Sequence, residues 1–151
     1  MRLTKQTDYS LRVLIYLGTH PDRPATIEEV AEAYGISKNH LMKVVYHLST
    51  AGFLETQRGR GGGFHLARDP AAIRLGSVIR GTETDFALVE CFDQANESCS
   101  IYDACKLRKV LHDALEAWFA TLDRYTLADL IKPRSRLSQL LSVPAPAARR
   151  E

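Results

Sequence analysis

Apolar and polar positions change period several times along the chain, and each change marks an element. From Thr7 to Thr19 nearly every side is apolar (Tyr9, Leu11, Val13, Leu14, Ile15, Tyr16 and Leu17). A helix with so little polar face is covered from several directions, a second subunit included. His20 to Pro24, with two prolines, breaks it. Thr26, with Glu29 three residues on, has the form of a capping box, and Ile27, Val30, Ala31 and Tyr34 follow along one helical face until Gly35. Ser37 caps the next helix, where Leu41, Val44, Val45 and Leu48 recur at helical spacing as far as Ala51 and Gly52. Two helices joined by so few residues make a helix-turn-helix.

The period then shortens. Phe53 and Leu54 are followed by QRGRGGG at residues 57 to 63 and by the alternating Phe64, His65 and Leu66. This predicts two short strands around a flexible basic tip, a wing. Ile73, Leu75, Val78 and Ile79 predict a short helix ending near Gly81. From Thr82 to Ser100 periodicity is lost, as in a loop. It returns from Cys105 to about Tyr125, where Leu107, Val110, Leu111, Ala114, Leu115, Trp118, Phe119 and Leu122 form one stripe. A chain this small has limited surface to cover that stripe, so Leu107, Val110, Leu111, Leu115, Trp118 and Leu122 are expected to meet a second copy. Thr126 caps a last short turn through Leu130, and the Pro- and Arg-rich segment from Pro133 is expected to be mobile.

The fold class expected is therefore mainly α, a winged helix-turn-helix with a two-stranded wing plus a long C-terminal dimerisation helix. Residues 1 to 81 form the DNA-binding domain and 82 to 105 a cysteine-bearing loop. The dimerisation helix and a short terminal helix occupy 106 to 132, and 133 to 151 form a tail.

Charge assigns a partner to one half of this arrangement. Residues 1 to 80 hold 11 Lys and Arg against 7 Asp and Glu, whereas residues 81 to 132 hold 5 against 10. Only the basic half suits a polyanion. At 45% hydrophobic and 25% charged, the composition is that of a globular chain. No apolar run approaches the roughly 18 residues of a membrane span and no export signal is evident. A cytoplasmic location and no membrane partner are expected.

The exposed face of the second helix carries Lys38, Asn39, His40, Lys43, Tyr46 and His47. Entering a major groove, Asn39 and His40 would reach bases while Lys38 and Lys43 meet phosphates. Arg58 and Arg60 stand beside Gly61 and Gly62, which permit close backbone approach to DNA. The glycines are not a Walker loop, because the Lys-Ser/Thr ending is missing. A dimer would read an inverted repeat in double-stranded DNA. The alternative for the helix residues is an ordinary solvated face.

Cys91, Cys99 and Cys105 are an odd number in a chain without an export signal, which argues against a disulfide framework. Their gaps of seven and five residues do not match the paired spacing of zinc ribbons, and three soft thiolate ligands on a loop favour an iron-sulfur cluster. A thiol-based regulator, or a cysteine nucleophile activated by a residue such as His112, is the alternative. For the latter no orienting motif accompanies the cysteines, and no enzyme activity is expected.

With these residues in view, the opening segment of residues 2 to 12, the helix-turn-helix, the RGRGGG wing and Leu88-Val89-Glu90-Cys91-Phe92 closely resemble the iron-sulfur regulators of the IscR and NsrR superfamily, of the Rrf type. The likeness spans about residues 1 to 130. Glu90-Cys91-Phe92 and Ala104-Cys105-Lys106-Leu107 are most similar to its nitric-oxide-sensing branch, NsrR. The resemblance implies a homodimer in which each subunit holds one cluster through Cys91, Cys99 and Cys105, with nitric oxide as the signal. It also implies a 4Fe-4S rather than a 2Fe-2S cluster, with Asp8 of the other subunit as the fourth ligand. The alternative for Asp8 is a helix-start carboxylate paired with Arg12. IscR-like members use a histidine three residues after the last cysteine, where this chain has Arg108. His40, His47 and Glu28 stay open as other outside ligands. A sensor of iron-sulfur supply or redox state would share every feature but the signal.

Overall fold

A computed structural model describes residues 2 to 92 and 99 to 142. The first helix, α1, runs Lys5–Thr19, with the Thr4 side chain accepting from the Thr7 N–H. Helix α2 (Ile27–Tyr34) starts on the Thr26–Glu29 capping box and stops at Gly35, whose φ of 63° lies in the left-handed region. Helix α3 (Lys38–Thr50) is capped by Ser37, which accepts from the His40 N–H. Val13, Leu14, Val30, Leu41, Val44 and Leu48 are all 1% exposed or less, so the three helices close tightly on one another. The apolar spacing of each helix thus becomes the core of a helix-turn-helix.

The wing is the antiparallel pair β1 (Leu54–Gln57) and β2 (Gly63–Leu66), in register from Leu54 opposite Leu66 to Gln57 opposite Gly63. Ala25 and Phe64 exchange backbone hydrogen bonds of 2.9 Å in both directions, which fastens the hairpin to the turn before α2. That contact explains Gly63: a Cβ there would lie 2.3 Å from the Ala25 carbonyl oxygen. At the tip, Gly61 has a φ of 77°, and a Cβ on Gly62 would lie 2.4 Å from the Gln57 carbonyl oxygen. The run of glycines therefore shapes the turn itself.

Helix α4 (Leu75–Thr82) packs on α1, and the long helix α5 (Lys106–Leu122) starts at Cys105. The short α6 (Leu127–Leu130) has its own capping box, Thr126 with Asp129. The mobile tail expected from Pro133 is corrected in part. Arg134–Leu141 form a helix, α7, against α1, because Leu141 is buried in the core and the Arg134 side chain donates to the Thr19 carbonyl oxygen. Residues 143 to 151 lie outside the described residues. Among the described residues no helix is long and apolar enough to cross a membrane.

Candidate nucleic-acid interface and cysteine loop

Helix α3 buries Leu41, Val44, Val45 and Leu48 and exposes Lys38, Asn39, His40, Met42, Lys43, Tyr46 and His47. The expected readers are not equivalent. The Lys38 ammonium donates to Glu28 of α2 at 2.6 Å, an interaction that holds the Glu28 carboxyl below the usual carboxylate range. His40 is drawn toward α1: its Nδ1 lies 3.1 Å from the Ser37 hydroxyl and its ring 6.0 Å from that of Tyr9. Asn39 and Lys43 point outward, and Lys43 makes no ion pair among the described residues. Arg58 and Arg60 are exposed at the wing tip beside Gly61 and Gly62, likewise without an ion pair among the described residues. Exposed cations on a helix face and a hairpin tip are the electrostatic footprint of a duplex reader.

The cysteines occupy the segment between α4 and α5. Cys91 lies in a single turn, Glu90–Phe92, and Cys99 is exposed; residues 93 to 98 between them are outside the described residues. Cys105 is the N-cap of α5, and its Sγ accepts the Arg108 N–H at 3.4 Å. All three thiols are free. They are not drawn together: among the described residues no three His, Cys, Asp or Glu side chains form a group that could hold a metal ion. Their chemistry nevertheless fits an iron-sulfur cluster, since free thiols with access to solvent are what iron and sulfide require. His112 lines the cleft beside Cys105, with its ring 6.4 Å from that of Phe92. Arg108 lays its guanidinium on the Tyr102 ring, 4.3 Å from the centroid. Asp8 faces Arg12 across one turn of α1, with oxygens 2.9 and 3.1 Å from the guanidinium nitrogens, and is about half exposed.

Two connections that join this loop and α5 to the rest of the fold have no signal in the sequence. Glu83, one residue past α4, accepts from the Thr4 N–H (2.9 Å), the Thr7 hydroxyl (2.8 Å) and the Thr4 hydroxyl (3.2 Å). Desolvation raises its pKa, but these bonds outweigh it and hold the carboxyl below its ordinary range. The start of α1 is thus tied to the start of the cysteine loop. At the other end of α5, Arg80 grips Asp123 through two bonds of 2.8 and 2.9 Å, lowering the Asp123 pKa, and sits 4.2 Å from the Phe119 ring centroid. Arg74 adds a bond to the Asp123 carbonyl at 2.7 Å. A Cβ on Gly76 would stand 1.9 Å from Asp123 Oδ1, so only glycine leaves room for this grip.

With that geometry in place, comparison decides the class. The Rrf2 family, described as an iron-dependent transcriptional regulator, matches residues 3–133. The chain belongs to the Rrf2 family. The HTH-type transcriptional regulator NsrR of Bacillus subtilis is 51% identical over 144 residues, which cover 95% of this chain and 99% of that protein. The solved CymR of B. subtilis, a global cysteine regulator, superposes with a TM-score of 0.71 at 27% identity, over 86% of this chain and 95% of that one. The IscR of T. potens has the same fold (TM-score 0.73, 23% identity, 96% and 94% covered). As an Rrf2 protein with a winged helix-turn-helix, the chain is a DNA-binding transcription regulator and not an enzyme.

Proposed function

We propose that this Rrf2 protein is a homodimeric repressor that senses nitric oxide through a 4Fe-4S cluster held by Cys91, Cys99 and Cys105 and by Asp8 of the partner subunit. The observation that carries the reading is the set of three free thiols leading into α5 in a chain half identical to a regulator named NsrR. When bound, the cluster supplies iron that reacts with nitric oxide. The chain's own residues do the rest. Along the 17 residues of α5 only Phe119 is buried, and Leu107 and Val110 stand 63% and 61% exposed. That apolar face supports dimerisation through a second α5. Release of the cysteine loop frees the segment that Glu83 ties to Thr4 and Thr7, and α1 packs directly on the reading helix α3. The spacing of the two α3 helices on an inverted repeat then relaxes and affinity falls.

Anaerobic purification followed by iron and sulfide analysis tests the reading. Four irons per subunit are expected, with an absorption spectrum altered by Asp8→Ala, because Asp8 would exchange Arg12 for iron. Titration with nitric oxide, superoxide and peroxide separates this reading from a redox or iron-supply sensor, since only nitric oxide is expected to release operator at stoichiometric dose. A cluster-free thiol regulator draws on the separation of the cysteines and on the likeness to CymR. It predicts no iron and no visible absorption.

A further inference from the structure

Among the exposed side chains of α3, two are large and apolar. Tyr46 is 69% exposed and Met42 53%, one helical turn apart. On a helix whose buried face is Leu41, Val44, Val45 and Leu48, the middle of the opposite face falls on Asn39, Lys43, Tyr46 and Thr50, at steps of four, three and four. Met42 lies on the wing side of that line. There Met42 and Tyr46 line an open groove with Ile27, Val45, Thr50 and Thr56, between α3 and β1. Lys38 and His40, by contrast, are turned to Glu28 and to Ser37 and Tyr9. So the front of α3 offers one amide, one ammonium and an apolar strip, in place of an unbroken polar face.

We infer that Met42 and Tyr46 are specificity-determining residues that read thymine through its 5-methyl group in the major groove. The inference rests on α3 being the DNA-reading helix. The occupant is selected by two features together. Exposed Lys43 on the same helix, and exposed Arg58 and Arg60 in the wing whose Thr56 and Gly63 line the groove, add positive charge, which suits a polyanion. The major groove presents an apolar group only where thymine carries its methyl; the other base edges there are donors and acceptors. A thioether and an aromatic ring one helical turn apart on the wall of one groove offer a soft apolar surface that gains from covering a methyl and has no donor or acceptor on its ring face to pair with a purine N7. Asn39 and Lys43 on the same line supply the hydrogen bonds that fix register on neighbouring bases.

The test changes the DNA by a single methyl. Duplexes are enriched from a random library with the anaerobically purified full chain, and each thymine of the half-site is then replaced by deoxyuridine. Wild-type protein is expected to lose about fourfold in affinity at one or two positions, the worth of one buried methyl. Met42→Ala and Tyr46→Ala, whose exposed side chains leave the core intact, should each abolish the penalty at one of those positions while melting with wild-type cooperativity. Tyr46→Phe should keep it. If deoxyuridine is tolerated at every position, or if the alanine variants keep the full penalty, the inference fails while α3 remains the reader. If the library yields no enriched sequence, the reading role of α3 fails with it.

Discussion

The Glu83 carboxylate shows how a single side chain can join two parts of the chain that lie far apart in sequence. It accepts three bonds from Thr4 and Thr7 at the start of α1, 79 and 76 residues away. Glu83→Gln keeps the shape but weakens charge-assisted acceptance, so about 1 kcal/mol of stability should be lost at neutral pH. Because the folded carboxyl titrates below its ordinary value, this contribution is complete above the unfolded pKa and disappears as pH falls through the folded one. The difference between wild type and variant in urea unfolding should therefore be full at pH 7 and vanish on acidification below the usual carboxylate range. An unchanged difference in acid would refute the assignment. Residue-scale features of this kind were legible only where they were local. The Thr26–Glu29 box and the Ser37 cap could be read because cap and partner sit three residues apart, as could the Asp8–Arg12 pair at one helical turn. Glu83 could not, since nothing in its neighbours names Thr4.

Helices and wing were legible because their cores repeat: Leu41, Val44, Val45 and Leu48 could face only one way. What the period left open was which exposed residues are engaged. Lys38 belongs to Glu28 and the His40 ring lies against Tyr9 of α1, and both are tertiary facts. The wing offers a pair of opposite predictions. Gly63→Ala forces a Cβ against the Ala25 carbonyl, a backbone atom that cannot swing aside, and should cost about 1–3 kcal/mol in thermal or urea unfolding. Arg60→Ala removes an exposed side chain with no hydrogen bond or ion pair among the described residues and should leave the melting temperature unchanged. It should weaken DNA binding on all sequences alike and reduce the slope of log K against log salt by about one, as read by fluorescence anisotropy across a salt series. Helix α7 escaped the periodicity because eight residues containing two arginines and two serines look like a tail until Leu141 finds the core.

For the whole molecule, the proposed homodimer rests on the exposed face of α5. A helix with one buried residue in 17 stays bare in a monomer. Leu115→Arg places a charge in the middle of that face and is expected to give a monomer by sedimentation velocity, still folded and still able to bind DNA weakly. Affinity for an inverted repeat should fall far more than affinity for a single half-site, because only the dimer joins two readers. A variant that remains dimeric would show that α5 is not the seam.

The grip of Arg80 and Arg74 on Asp123 makes α5 a cantilever. It is clamped beside the reading domain at one end and carries Cys105 at the other, about 25 Å away along the helix. Over that arm, a displacement of about 2.5 Å at the thiol end amounts to a tilt of only about 6° at the clamp. On the proposed function, a chemical event of atomic size at the tip would reach the helix-turn-helix as a small rotation, and in a symmetric pair the two rotations would act on the same stretch of duplex with opposite sense.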